Sequence, residues 1–311
     1  MEKLDFILDT DAGADCDDML AMSYLIYAKR FLNVNIKAVT HALSTGDGVV
    51  AIRSFFRCMG EKAPETGHMI KGANLNDNYC KQIVKEFATK KDHAGTECAS
   101  RVLRKALASS KSRCVLCAIG QLTNISALIR SEPDDISPLD GVSLIKEKCD
   151  KIVVMAGLFF DKENAEREPE WNVRWDVQAA RDVFNFKGVP IAAIPWETGI
   201  NIHTGKDLHS RVTKRNPLLV SFEMFLNESV KGGRDSWDPV TALYAVEGTK
   251  DFLKESKKGT VSVTDTGATY FKESDDGNTV IVTVNSTKEN DQEIRNSIAE
   301  YIEHCVDKIL K

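Results

Sequence analysis

The sequence predicts an α/β fold: an open, mostly parallel sheet flanked by helices, with an antiparallel hairpin region late in the chain. Three observations carry that prediction. Short apolar runs rich in β-branched residues alternate with stretches whose apolar residues recur at helical spacing. The runs are nearly uniformly apolar, as strands buried on both faces of a parallel sheet are. At 311 residues, 42% hydrophobic and 28% charged, the chain is long enough to bury a large core as one domain, 1–311.

The elements follow in order. Residues 4–8 read as a strand, and 18–30 as a helix with Met19, Met22, Leu25 and Ile26 along one face. A strand at 34–39 and a helix at 49–59 repeat the pattern. A helix at 97–108 leads into a strand at 113–119, then a helix at 122–130 with Thr123 as candidate cap. A strand at 151–156, a helix at 177–186 and a strand at 189–195 complete a Rossmann-like alternation. Residues 218–230 and 239–246 read as helices. Residues 259–263, 268–271 and 279–284 then alternate like antiparallel strands, with Asp275-Asp-Gly277 as a turn, and an amphipathic helix spans 290–310.

Bulk properties exclude some functions. A net charge of −5 and a pI near 5.8, with no basic tail or stripe, argue against nucleic acid as a partner. No apolar stretch reaches membrane-spanning length, and the N-terminus lacks a signal-peptide layout, so no membrane association is expected. Eight scattered cysteines suit a reducing, cytoplasmic location. Cys114-Val-Leu-Cys117 lies in a strand, where positions three apart face opposite ways, so it reads as two core thiols.

The chemistry concentrates in Asp9-Thr-Asp-Ala-Gly-Ala-Asp-Cys-Asp-Asp18, directly after the first strand. Five carboxylates in ten positions repel one another unless they share a cation or a proton. Hard oxygen donors at this density fit Ca²⁺ or Mg²⁺. The loop falls at the carboxyl end of a strand, where open α/β sheets bind ligands. The plainer reading is an acidic loop capping the following helix. An EF-hand does not fit, since counting from Asp9 puts Ala14 at its glycine position and Leu20 at its glutamate position.

Further polar segments follow: Ile119-Gly-Gln-Leu-Thr-Asn124 after a strand; Met155-Ala-Gly157 with Asn164 and Glu170-Trp-Asn172; and Ser236-Trp-Asp-Pro239 opening a helix. Read alone, these are a strand-to-helix turn, a solvated loop and an N-cap with Pro in the first turn. Together and in this order, with the acidic loop, they resemble the nucleoside hydrolase family. Its members open with Asp-x-Asp-Pro-Gly-x-Asp-Asp or a variant longer by two residues and one Asp, and the present loop is similar to the longer form. Ser137-Pro-Leu-Asp-Gly141, Trp196-Glu-Thr-Gly199 and Thr204-Gly205 extend the likeness.

The resemblance implies Ca²⁺-dependent hydrolysis of the N-glycosidic bond of ribonucleosides. Asp11, Asp18 and Asp238 with the Ile119 carbonyl would hold the ion, and Asp11 would be the general base. Asp17 would face the ribose, although Asp15, which has no counterpart in the shorter form, could exchange roles with it and ligate the metal. Asn164, Glu170 and Asn172 would bind the sugar hydroxyls and the 5′ group, with Trp171 among them. Trp237 stands where some members carry a His that serves the leaving base, and an indole there suits a purine. His41 stands near the ribose position; His41, His68 and His93 are candidate acids or ordinary loop histidines. Family members are commonly homodimers or homotetramers. Asp9 would be structural support.

Ala12 and Ala156 depart from the family's usual residues, and residues 67–91 match it poorly. Two other classes remain open: a haloacid-dehalogenase-type phosphatase with Asp9 as nucleophile, and a non-catalytic, calcium-dependent nucleoside- or sugar-binding homologue.

Overall fold

The computed structural model describes residues 3–70, 78–160 and 168–310, with backbone alone for 228–230. Its strands are β1 (Leu4–Thr10), β2 (Val34–His41), β3 (Glu65–His68), β4 (Glu97–Cys98), β5 (Cys114–Ala118), β6 (Cys149–Met155) and β7 (Ile191–Ile194). They continue as β8 (His203–Thr204), β9 (Arg234–Asp235), β10 (Leu253–Glu255), β11 (Gly259–Val263), β12 (Thr269–Glu273) and β13 (Thr279–Val284). Among the described residues, one sheet runs β12-β11-β13-β7-β6-β5-β1-β2-β3-β4, with β10 on β13, and β8 with β9 forms a separate ribbon. Pairing is parallel from β13 through to β4.

Alternation of side chains across β1 divides the core in two. Phe6 and Leu8 join a cluster with the helices Asp17–Phe31, Trp237–Glu247 and Asp291–Leu310, whereas Ile7 joins one with Ala99–Ala108, Thr123–Ile129 and Val177–Asn185. Cys117 falls in the first cluster and Cys114 in the second, as expected for a strand, and both are free thiols. No helix among the described residues is long and apolar enough to cross a membrane.

The chain order places the ligand-binding crevice. From β1 the chain adds β2, β3 and β4 on one side, then crosses back to lay β5 on the other. The carboxyl ends of β1 and β5 therefore diverge at a topological switch point, where loops leave a gap.

Four local expectations need correction. β1 runs on to Thr10, because Asp9 and Thr10 keep pairing with β2 although they are polar. Glu97 and Cys98 form β4, and the helix begins at Ala99. Thr123 does not cap its helix; its hydroxyl donates to Asp176 at 2.7 Å. The late hairpin joins β11 to β12 around Gly267, whose φ of +90° favours glycine, and β13, antiparallel to β10 and β11 as expected, also joins the parallel sheet beside β7. The turn at Asp275-Asp-Gly277 is a connection between non-neighbouring strands.

Candidate active site

The acidic loop is fixed from below by its own strand. Asp9 is fully buried, accepting hydrogen bonds from Thr40 at 2.5 Å and Asn124 at 2.8 Å. The Thr10 hydroxyl donates to Asp18, tying the end of β1 to the start of the helix Asp17–Phe31. Gly13 turns the backbone with φ of +119°. Tyr79 donates to the Asp15 carbonyl at 2.7 Å, and His41 Nε2 lies 2.9 Å from the Ala12 carbonyl.

This scaffold brings four buried carboxylates to the carboxyl ends of the strands: Asp11, Asp17, Asp18 and Asp238. Asp238 arrives in the first turn of Trp237–Glu247, and its backbone N–H donates to Asp17 Oδ2 at 3.1 Å. Carboxylate oxygens of Asp17, Asp18 and Asp238 lie within 4.8 Å of one another. Burial, and then the neighbouring negative charges, push Asp17, Asp18 and Asp238 well above the ordinary carboxylate range, and burial lifts Asp11 to about 7. Asp18 Oδ2 is buried without a hydrogen-bond partner. Buried acids in this state need a proton or a cation. A hard divalent ion fits the donor set, since every candidate ligand is oxygen.

The facing wall comes from the ends of β5 and β6. Glu170 caps the short helix Trp171–Arg174, accepting from Asn172 N at 2.9 Å, and also accepts from Gly157 N at 3.1 Å. Burial raises it to about 7 despite those bonds. Asn172 Nδ2 donates to the Ile119 carbonyl at 3.1 Å and the Met155 carbonyl at 2.9 Å. Between the walls is a cleft of about 330 Å³ whose acidic end gives way to Trp171, Trp196, Phe225 and Trp237. Trp237 stacks on Trp196, with centroids 6.4 Å apart and planes 26° apart, and donates its Nε1–H to the Trp196 carbonyl at 2.9 Å.

The cleft thus gathers Asp11, Asp15, Asp17, Asp18, Ile119, Glu170, Trp171, Asn172, Trp237 and Asp238. Asn164 lies outside the described residues. His41 is buried beneath the loop, wedged against Gly48, where an added Cβ would stand 2.0 Å from its ring; it does not line the cleft. His68 contacts the Met69 carbonyl and His93 is exposed, and neither lines it. Asp9 also lies beneath the lining, so the phosphatase arrangement with Asp9 as nucleophile has no access to a substrate. Asp11 and Asp15 both stand outside the close group of Asp17, Asp18 and Asp238, and Asp15 is held by Arg234, with Nη2 to Oδ2 at 2.6 Å. Sequence reasoning missed Arg234. Its signal was a basic residue three positions before Trp237, in a chain that otherwise gathers acids toward this site.

The comparisons agree with this geometry. In fold the chain is similar to a plant nucleoside hydrolase, the PpNRh1 enzyme: TM-score 0.69, 17% identity, 96% of this chain and 99% of that one. It is similar to the type III effector XopQ, solved with adenosine diphosphate ribose, at TM-score 0.68 and 13% identity over 98% and 95% of the chains. It is also similar to the inosine-uridine preferring nucleoside hydrolase of Bacillus anthracis, at TM-score 0.65 and 19% identity over 99% and 100%. An 89-residue stretch is 32% identical to an uncharacterised protein of Schizosaccharomyces pombe, and the chain spans about a quarter of that relative's length: 29% of this chain and 25% of that protein. At these identities the solved structures speak to fold. The sequence profile described as inosine-uridine preferring nucleoside hydrolase matches residues 6–300, nearly the whole sequence, and the chain belongs to that family.

Proposed function

We propose that this chain is a Ca²⁺-dependent hydrolase of the N-glycosidic bond of ribonucleosides, with a preference for purines. The observation that carries the reading is one buried carboxylate group at the switch point, with an unpartnered Asp18 oxygen, opening into an aromatic-walled cleft. Asp11, Asp18 and Asp238, with the Ile119 carbonyl, would hold the ion. A divalent cation there supplies Lewis acidity, lowering the pKa of a water and fixing the sugar hydroxyls.

The residues divide the remaining work. Asp11, buried at the end of β1 and lining the cleft, removes a proton from the attacking water. Asp17 faces the ribose hydroxyls. Glu170 and Asn172 hold the other side of the sugar, their own geometry locked by backbone contacts. As the bond breaks, carbon 1′ gains oxocarbenium character, and the surrounding carboxylates favour that positive charge. Trp237, part of the aromatic wall with Trp171 and Trp196, would contact a purine from the side of the cleft. We place the protein in the reducing cytoplasm, in keeping with its free thiols, and, as the family resemblance implies, as a homodimer or homotetramer.

The test is reducing-sugar release from a panel of purine and pyrimidine ribonucleosides, with Ca²⁺ and with a chelator. Release that the chelator abolishes is expected. Binding of nucleosides without release from any of them, with Ca²⁺ present, would instead establish the non-catalytic homologue.

A further inference from the structure

We propose that Arg234 is a catalytic residue that stabilises the departing nucleobase as an anion, through hydrogen bonds from its Nη1 N–H groups. This rests on the hydrolase reading above. A base that leaves without its proton carries the bond's electron pair, so the site needs a donor or a positive charge at that end. Among the described residues lining the cleft there are six carboxylates and no His or Lys, and Arg234 is the one cation. Of the other side-chain N–H donors lining the cleft, Trp237 Nε1 donates to the Trp196 carbonyl and Asn172 Nδ2 to two backbone carbonyls, which leaves the neutral indoles of Trp171 and Trp196 beside the charged Arg234.

The orientation of Arg234 is set on three sides. Asp15 takes Nε at 3.1 Å and Nη2 at 2.6 Å, a fork that fixes the guanidinium plane. The plane lies over the rings of Trp237, 4.8 Å away, and Phe225, 5.3 Å away, at the aromatic end of the cleft. Nη1 is left with only a 3.8 Å approach to Asp235, too long for a hydrogen bond. The side chain keeps 27% of its surface exposed, on a cleft-lining position. Arg cannot give up its proton at working pH, so it supplies charge and hydrogen bonds rather than acid catalysis.

The step balances. The water oxygen bonds to carbon 1′ and its proton passes to Asp11. The bond from carbon 1′ to the base nitrogen breaks, and its electron pair stays on the base, held by Arg234. The base takes a proton from solvent on release, and Asp11 returns its own. Asp15 is the positioning residue for Arg234.

The experiment compares Arg234→Met with wild type, both with Ca²⁺, on inosine and on 4-nitrophenyl β-D-ribofuranoside. The nitrophenolate is a stable anion that needs little help to leave. The ratio of kcat/KM on the nitrophenyl riboside to that on inosine should rise about 10²-fold in the variant, the usual effect of losing one donor to developing negative charge. Equal losses on both substrates would mean that Arg234 only clamps the loop through Asp15, and no loss on either would remove it from the reaction; both overturn the proposal. If Arg234→Met does not fold, Arg234→Lys must show the same selectivity with a smaller loss, and equal losses there overturn it too. A wild-type protein that releases sugar from neither substrate fails earlier, at the hydrolase reading itself, and takes this proposal with it.

Discussion

The amide of Asn172 donates to the Ile119 carbonyl at 3.1 Å, joining the loop after β6 to the end of β5 across the floor of the cleft. A carbonyl oxygen has two lone pairs. This bond takes one and orients the other, so the floor keeps an acceptor beside the buried acids. One amide thus orients a backbone oxygen 53 residues away in the chain.

Removal of divalent cations should lower both activity and thermal stability. A ligand bound only by the folded state at about 100 times its dissociation constant adds about 2.7 kcal/mol. Thermal melts with EDTA and with Ca²⁺ should differ by several degrees, and sugar release should return with the ion. Identical melts and rates under both conditions would remove the metal from the reading.

The pH dependence of the cation-free protein has a definite sign. Burial lifts Asp9 and Glu170 to about 7 in the folded state, above their unfolded values near 4. The folded state therefore binds more protons than the unfolded one between about pH 4 and 7, and stability falls as pH rises through that window. Divalent cations bind deprotonated carboxylates, so the Ca²⁺-induced rise in Tm should grow with pH. Melts at pH 5 and 8, with and without the ion, check both signs.

Asp11→Ala should reduce kcat by about 10²–10⁴-fold, the range for a lost general base, with a preserved circular dichroism spectrum. Gly120→Ala tests the same residue indirectly. A Cβ there would stand 2.7 Å from Asp11 N and 2.9 Å from its Cγ, so the carboxylate must move. Its kcat should fall, and Tm with it through about 1–3 kcal/mol of overpacking, since the nearest atom is backbone; wild-type turnover would show that Asp11 tolerates displacement.

Trp237→Ala should slow every substrate, because the ring also packs against Trp196 and Gly199. Purine nucleosides should lose a further several-fold, from about 0.5–1.5 kcal/mol of aromatic stacking. Equal losses on inosine and uridine would count against base stacking.

Far from the cleft, buried Arg104 bonds Asp134 through Nε at 3.0 Å and Nη2 at 2.8 Å, and reaches the Ser137 and Leu139 carbonyls. Arg104→Leu should lower stability by about 1–3 kcal/mol, since it leaves the Ser137 and Leu139 carbonyls without their donor while Asp134 keeps access to water, and leave low-temperature turnover intact. Arg104 also holds Asp134 down to about 2, so its contribution fades only as pH falls from about 4 toward 2. Denaturant unfolding of the variant and of wild type at neutral pH gives the difference.

The sheet was legible in the sequence because its central strands are nearly continuous apolar runs: residues 152–156 needed no context to place β6. β3, with the sequence Glu-Thr-Gly-His, was not, since four residues of mixed polarity carry no period. The acidic loop announced itself through charge density alone. Its division of labour did not. Asp15 reads like its neighbours until Arg234, 219 positions away, folds onto it. His41 looked like a site residue because the resemblance puts it near the ribose, yet the close approach of Gly48 pins it below the cleft. Local pattern reports which groups are available, and long-range packing decides which of them reach the substrate.

Asp17 and Asp238 meet across 221 positions of chain. At synthesis speeds of about 5–20 residues per second, Asp238 leaves the ribosome roughly 10–45 s after Asp17. Throughout that interval the acidic loop exists without the residue that closes it, and the nascent chain carries its charges in water with no enclosure for an ion or a sugar. Catalytic competence is therefore a late event in the life of each molecule, and a chain cut short before residue 238 would keep most of the acids and none of the site.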